Sequence, residues 1–111
     1  MNTDDILEKN PVILCDFSMY PLDAEGGLSA FVAKSIEIIE ESGIPYKLSP
    51  MSTTIEGSFD DCMACIKKCF DTMSESSKRI AFQIKVDYRH GRINGMNQKI
   101  QSVEKKLGHS L

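Results

Sequence analysis

What this chain lacks narrows its function before any motif is considered. No apolar run approaches the roughly 20 residues that a membrane-spanning helix needs, so no membrane insertion is expected. There is no excess of positive charge: a net charge of -3 and a pI near 5.3 leave no electrostatic footprint for nucleic acid. Neither a P-loop nor a G-x-G-x-x-G run is present to cradle a phosphate. Histidine occurs only at His90 and His109, both in segments that read as turn or tail, and no serine has a recognisable base close by in sequence. No catalytic constellation and no cofactor are expected, and the chain reads as a binding protein, not an enzyme. Its first ten residues are acidic and polar, the reverse of a secretory leader. They are read as a flexible lead before a single domain over 11–111, in a cytoplasmic protein.

The four cysteines lack the pairing that would make them a framework. Cys62, Cys65 and Cys69 form a C-x2-C-x3-C run, which raises the question of a metal. A structural zinc site wants a fourth ligand, and neither histidine has a partner at ligand spacing. Phe59, Cys62, Ile66, Cys69 and Met73 instead fall on one face at helical spacing, where free cysteine serves as a small hydrophobe. No metal site is expected.

What is present is periodic. From Val12 to Tyr20, Ile13, Cys15, Phe17 and Met19 alternate with Leu14, Asp16, Ser18 and Tyr20, the pattern of a strand between Pro11 and Pro21. Leu28, Phe31, Val32, Ser35, Ile36 and Ile39 mark a helix with Ser29 as N-cap and Gly43 as stop. Tyr46 to Ser49 and Thr53 to Glu56 read as strands around a turn at Pro50-Met51-Ser52. Ser58 then caps a second helix running to about Met73. Arg79 to Asp87 alternates again, with Ile80, Phe82, Ile84 and Val86 on its apolar face. Met96, Ile100, Val103 and Leu107 predict a closing helix stopped at Gly108. This order is βαββαβ with an additional C-terminal helix, an α+β sandwich of the ferredoxin-like kind. Its helices should cover one sheet face and leave the other open.

The open face collects Asp16, Ser18, Ser52, Thr54, Glu56, Gln83, Lys85 and Asp87, a set of donors, acceptors and both signs of charge. Uncovered sheet edges add an expectation of self-association. Thr53 shares the opposite face with Ile55, by strand alternation.

The runs Ser42-Gly-Ile-Pro-Tyr-Lys-Leu-Ser-Pro-Met51, Ser52-Thr-Thr-Ile-Glu-Gly57 and Ile84-Lys-Val-Asp-Tyr-Arg89 resemble the thiamine-binding-like family of small ferredoxin-like proteins. Its P-M-x-T-T-I-E-G signature is the most specific part, and the likeness spans nearly all of 12–107. The resemblance implies a homo-oligomer, dimer or tetramer, that binds thiamine or its hydroxymethylpyrimidine half in salvage or transport. Carried onto this chain, Ser18 on the first strand, Thr53, Thr54 and Glu56 in the hairpin, and Lys85, Asp87 and Arg89 at the last strand match family positions. Ser52 stands where members usually have glycine, and Phe70 where they often have histidine. Chemically, Glu56 or Asp16 would take the amino group of an aminopyrimidine while Thr54 and Ser18 complete the hydrogen bonds. Met19, Met51 and Tyr20 would offer apolar contacts to the ring.

An oligomeric module sensing an amino acid or similar metabolite would share the fold and the open face. An acylphosphatase-like hydrolase would need an arginine in the loop 22–27, which has none. An RNA-binding domain would need aromatics on the exposed central strands, and Thr53 to Glu56 has none.

Overall fold

The computed structural model describes residues 10–111, so the lead expected over 1–10 lies, but for Asn10, outside the described residues. The elements are β1 (Val12–Pro21), α1 (Ser29–Ser42), β2 (Tyr46–Leu48), β3 (Thr53–Ser58), α2 (Phe59–Ser74), β4 (Ile80–Asp87) and α3 (Gly95–Leu107). The four strands form one sheet in the order β2-β3-β1-β4, with each neighbouring pair antiparallel. That is the ferredoxin-like α+β topology expected from the element order, with α3 appended.

Alternation along β1 decides the layering. Ile13, Cys15, Phe17 and Met19 are buried, and register places Ile55 and Thr53 of β3 beside Cys15 and Phe17 on the same face. Helices α1 and α2 close over this face with Ile38, Ile39, Cys62, Ile66, Cys69 and Met73. Gly43, at a φ of 77°, ends α1 in the left-handed conformation that glycine adopts without a Cβ penalty. The cap of α1 differs from the expectation: Leu28, not Ser29, occupies the position, without a side-chain hydrogen bond. At α2 the expected cap forms, Ser58 Oγ accepting from the Asp61 amide at 3.1 Å.

All four cysteines are free and buried. Burial pushes the Cys15 thiol up to about 11 and the Cys62 thiol to about 12, which keeps both protonated and unreactive. The neighbouring Cys69 thiol and then the Ser42 hydroxyl, to which Cys65 Sγ donates at 3.9 Å, draw Cys65 down to about 7, while its proximity to Cys65 and burial raise the Cys69 thiol. Among the described residues no group of three or more His, Cys, Asp or Glu side chains is placed to hold a metal.

Two departures from the sequence reading concern the edges. Phe82, Ile84 and Val86, expected in the core, are 44%, 39% and 40% exposed. The cause is position: β4 is an edge strand and the helices pack over β1 and β3, with the Phe70 ring of α2 lying 5.8 Å from that of Phe82. The second departure is that the other sheet face is not wholly open. The start of α3 covers Leu14, which is buried there together with Gly95 and Met96.

Candidate functional site

The open part of the second sheet face is built by three adjacent strands. In β1, Asp16 has Thr54 of β3 on one side and Lys85 of β4 on the other; Ser18 has Gln83 beside it. The turn joining β2 to β3 closes through the Ser49 amide donating to the Ser52 carbonyl at 2.9 Å, with Pro50 and Met51 at its tip. That closure brings Ser52 over β1. Its hydroxyl donates to Asp16 Oδ1 at 2.8 Å, and the Thr54 hydroxyl donates to the same oxygen at 2.8 Å. Ser52 thus uses the oxygen that a glycine would lack.

Two hydroxyls on one carboxylate oxygen fix the rotamer of Asp16 and leave its other oxygen without a partner among the described residues. Across the strand, Lys85 likewise makes no hydrogen bond or ion pair among the described residues. A fixed carboxylate and a lysine therefore stand opposite each other on neighbouring strands, with a hydroxyl (Ser18) and an amide (Gln83) forming the next pair along the same face. They line a concavity of about 940 Å³, walled by Tyr20 and Met51. Pockets of some 300–1,000 Å³ with few convergent polar groups are the usual size for small-molecule sites. Its donors and acceptors suit a small polar molecule with a cationic or amino-bearing edge.

The remaining expected residues lie elsewhere. Met19 and Thr53 are on the buried face; they border a separate space of about 180 Å³ beneath the hairpin, which Ser18, Tyr20 and Met51 also touch. Glu56 is buried and engaged: Oε2 accepts from the Gly95 amide at 2.5 Å and Oε1 from the Met96 amide at 3.4 Å. Helix α3 begins after Asn94, in a left-handed conformation, with no side-chain cap of its own. Glu56 supplies that cap from β3, satisfying orphan amides and the positive end of the helix dipole. Gly95 permits the approach, since a Cβ there would sit 2.8 Å from Arg92 Nε and 3.2 Å from Leu14 Cδ1.

Asp87 is tied in the same way. Arg92 Nη1 donates to its Oδ2 at 3.3 Å, and Lys99 of α3 pairs with that oxygen too. Lys99 first, then Arg92, hold the Asp87 carboxyl below the usual range. A carboxyl whose pKa is lowered by folding stabilises the native state above its ordinary value, and that contribution is lost as pH falls through the lowered pKa. Asp87→Asn should therefore cost stability near neutral pH, and the cost should vanish once the pH lies below the lowered folded-state pKa and the wild-type carboxyl is itself protonated. Denaturant unfolding of both proteins at the two pH values checks this; a difference of equal size at both would remove the ionised pair from the account. Arg89 is exposed in the turn beyond β4, outside the concavity.

The structure thus brings Asp16, Ser18, Met51, Thr54 and Lys85 together and places Met19, Thr53, Glu56, Asp87 and Arg89 apart from them. The sequence reading did not anticipate a groove of about 280 Å³ between α1 and α2, over Phe31, Ser35, Cys69 and Met73. The small side chains Ala30 and Ser35 on α1 were its only advance signal.

Fold and site together define a small ferredoxin-like domain with a polar, ligand-sized concavity on its exposed sheet face. Comparison with known proteins gives that class a family. Residues 15–104 match the family described as thiamine-binding protein, and the chain belongs to it. It is 32% identical over 96 residues to a UPF0045 protein of Mycobacterium bovis, covering 86% of this chain and 94% of the relative. It is 33% identical over 100 residues to the UPF0045 protein YqgV of Bacillus subtilis, covering 85% and 96%. Among solved structures, a hypothetical protein of Methanocaldococcus jannaschii superposes with a TM-score of 0.78 at 22% identity, over 85% of this chain and 97% of that one. A Thermotoga maritima protein assigned provisionally to thiamine biosynthesis or salvage gives 0.74 at 27% identity, over 84% and 99%. Among the described residues no helix is long and apolar enough to cross a membrane.

Proposed function

We propose that this protein is a non-enzymatic, cytoplasmic binding protein for thiamine or its hydroxymethylpyrimidine moiety, acting in salvage or transport of the vitamin. The observation that carries the reading is Asp16, which lines the concavity: one of its oxygens accepts from both Ser52 and Thr54, and the other has no partner among the described residues. An aminopyrimidine presents an exocyclic amino donor beside ring-nitrogen acceptors. The free Asp16 oxygen takes the amino group, Ser18 or Gln83 donates to the ring nitrogen, and Met51 and Tyr20 contact the ring faces. A thiazolium cation is drawn to the same carboxylate, while Lys85 suits a phosphorylated tail. Family membership and the salvage assignment of the Thermotoga maritima relative support the choice of ligand. Self-association as a dimer or tetramer belongs to the proposal, because β4 leaves apolar side chains uncovered. No nucleic-acid partner is proposed.

The test is thermal unfolding with thiamine, hydroxymethylpyrimidine, thiamine phosphates and a panel of amino acids. A ligand at a hundred times its dissociation constant adds about 2.7 kcal/mol to the native state. For a domain of this size each kcal/mol raises the midpoint by about 4 °C or more. A rise with the pyrimidine-containing compounds alone is expected. A rise with an amino acid and none with thiamine would replace this reading by that of a metabolite sensor.

A further inference from the structure

The groove between α1 and α2 has sulfur in its wall. Cys65, Cys69 and Met73 follow one another at four-residue intervals on α2, which sets three sulfur-bearing side chains on a single helix face. That face meets α1: Cys65 Sγ donates to Ser42 Oγ and Cys69 Sγ to the Ser35 carbonyl, each at 3.9 Å. The Cys65 and Cys69 thiols are also neighbours of each other. Cys69 and Met73 both line the groove of about 280 Å³, so solvent has a path to them. Cys15 and Cys62 are fully buried and do not border it.

These groups are soft donors held by little else. A thiol is a weak hydrogen-bond donor, so the long contacts to Ser42 and Ser35 do not commit either sulfur. Thiolate and thioether together select Cu(I) among the common metal ions. The sequence reading set zinc aside for want of a fourth ligand, and among the described residues no group of three or more His, Cys, Asp or Glu is placed to hold a metal. A soft monovalent ion needs fewer donors, and a methionine thioether lies outside that donor set.

We propose that Cys65, Cys69 and Met73 form a Cu(I) site, two thiolates and a thioether taking one ion that enters through the α1–α2 groove. Binding transfers no electrons. Copper stays Cu(I), two copper–thiolate bonds and one thioether bond form, and both thiol protons pass to solvent. The bound group carries one net negative charge, which the ammonium of Lys68, close enough to favour the Cys65 thiolate, opposes. The site lies on the helix side of the sheet, away from the polar concavity, and neither reading rests on the other.

The test is anaerobic titration of the full chain with Cu(I) presented by a chromogenic chelator, with a thiol-free reductant present. Wild type should withdraw one equivalent of copper, and X-ray absorption should find sulfur alone around it. Cys65→Ala and Cys69→Ala should each lose that equivalent. Met73→Leu, a swap that nearly conserves volume, should hold it more weakly. Cys62→Ala removes a thiol of the same helix that does not border the groove, and should keep the equivalent in full. Circular dichroism checks that each variant folds, and the wild-type absorption spectrum decides the ligands where one does not. No withdrawal by wild type, or nitrogen or oxygen donors around the copper, would overturn the site. So would full retention in Cys69→Ala, equal affinity in Met73→Leu, or loss in a folded Cys62→Ala with retention in Cys65→Ala.

Discussion

Asp16→Asn should weaken binding of thiamine and of hydroxymethylpyrimidine by about 10- to 100-fold, the worth of one hydrogen bond to a charged group at about 1.5–3 kcal/mol. The substitution is nearly isosteric, and its effect is confined by geometry. The amide oxygen can keep the Ser52 and Thr54 hydroxyls that now donate to Oδ1 at 2.8 Å each, so the hairpin stays seated on β1. The amide nitrogen then occupies the place of the free oxygen and offers a donor where the ligand also brings a donor. The negative charge that draws a thiazolium is lost at the same time. Stability should change little by comparison. Isothermal titration of the two proteins measures the affinities, and equal values would remove Asp16 from the site.

Glu56→Ala should show the opposite pattern, a loss of stability of about 1–3 kcal/mol with ligand affinity nearly intact. Both carboxylate oxygens are committed to the Gly95 and Met96 amides, and Gly95 and Met96 are themselves buried. Removing the carboxylate strands these donors away from water and takes an anion from the positive end of α3. Helix α3 touches the sheet mainly near this end, with Val103 and Leu107 exposed further along, so its cap is a large share of what holds it. Urea unfolding should give a lower midpoint, and amide exchange should accelerate first at 95–96. If affinity falls while stability holds, Glu56 contacts the ligand and α3 is held by something else.

The contrast between these two carboxylates shows how far the sequence could be read. Strand alternation placed Asp16 and Glu56 on the same sheet face, and both are there. What alternation does not carry is the path of the chain after β4. The left-handed Asn94 and the small Gly95 return α3 to the end of the sheet, where it uses Glu56 as its cap and Asp87 as its ion-pair partner. That closure removes two acidic residues from the open face and leaves Asp16, Ser18, Thr54 and Lys85. The core was legible for a simpler reason. Ile13, Cys15 and Phe17 on β1 and Cys62, Ile66 and Cys69 on α2 face each other at periods of 2 and 3.6, and both patterns end on one buried cluster. For Phe82, Ile84 and Val86 the period was correct and burial did not follow, because alternation gives the face of a strand and not its place in the sheet. Edge position is a property of topology, and here it leaves an apolar strip exposed.

The most direct measurement is the amide NMR spectrum of the protein titrated with thiamine. The account expects shifts concentrated at Asp16, Ser18, Ser52, Thr54 and Lys85, strands and turn around one carboxylate. Shifts confined to the α1–α2 groove at Phe31, Ser35 and Met73, or none at all, would contradict it.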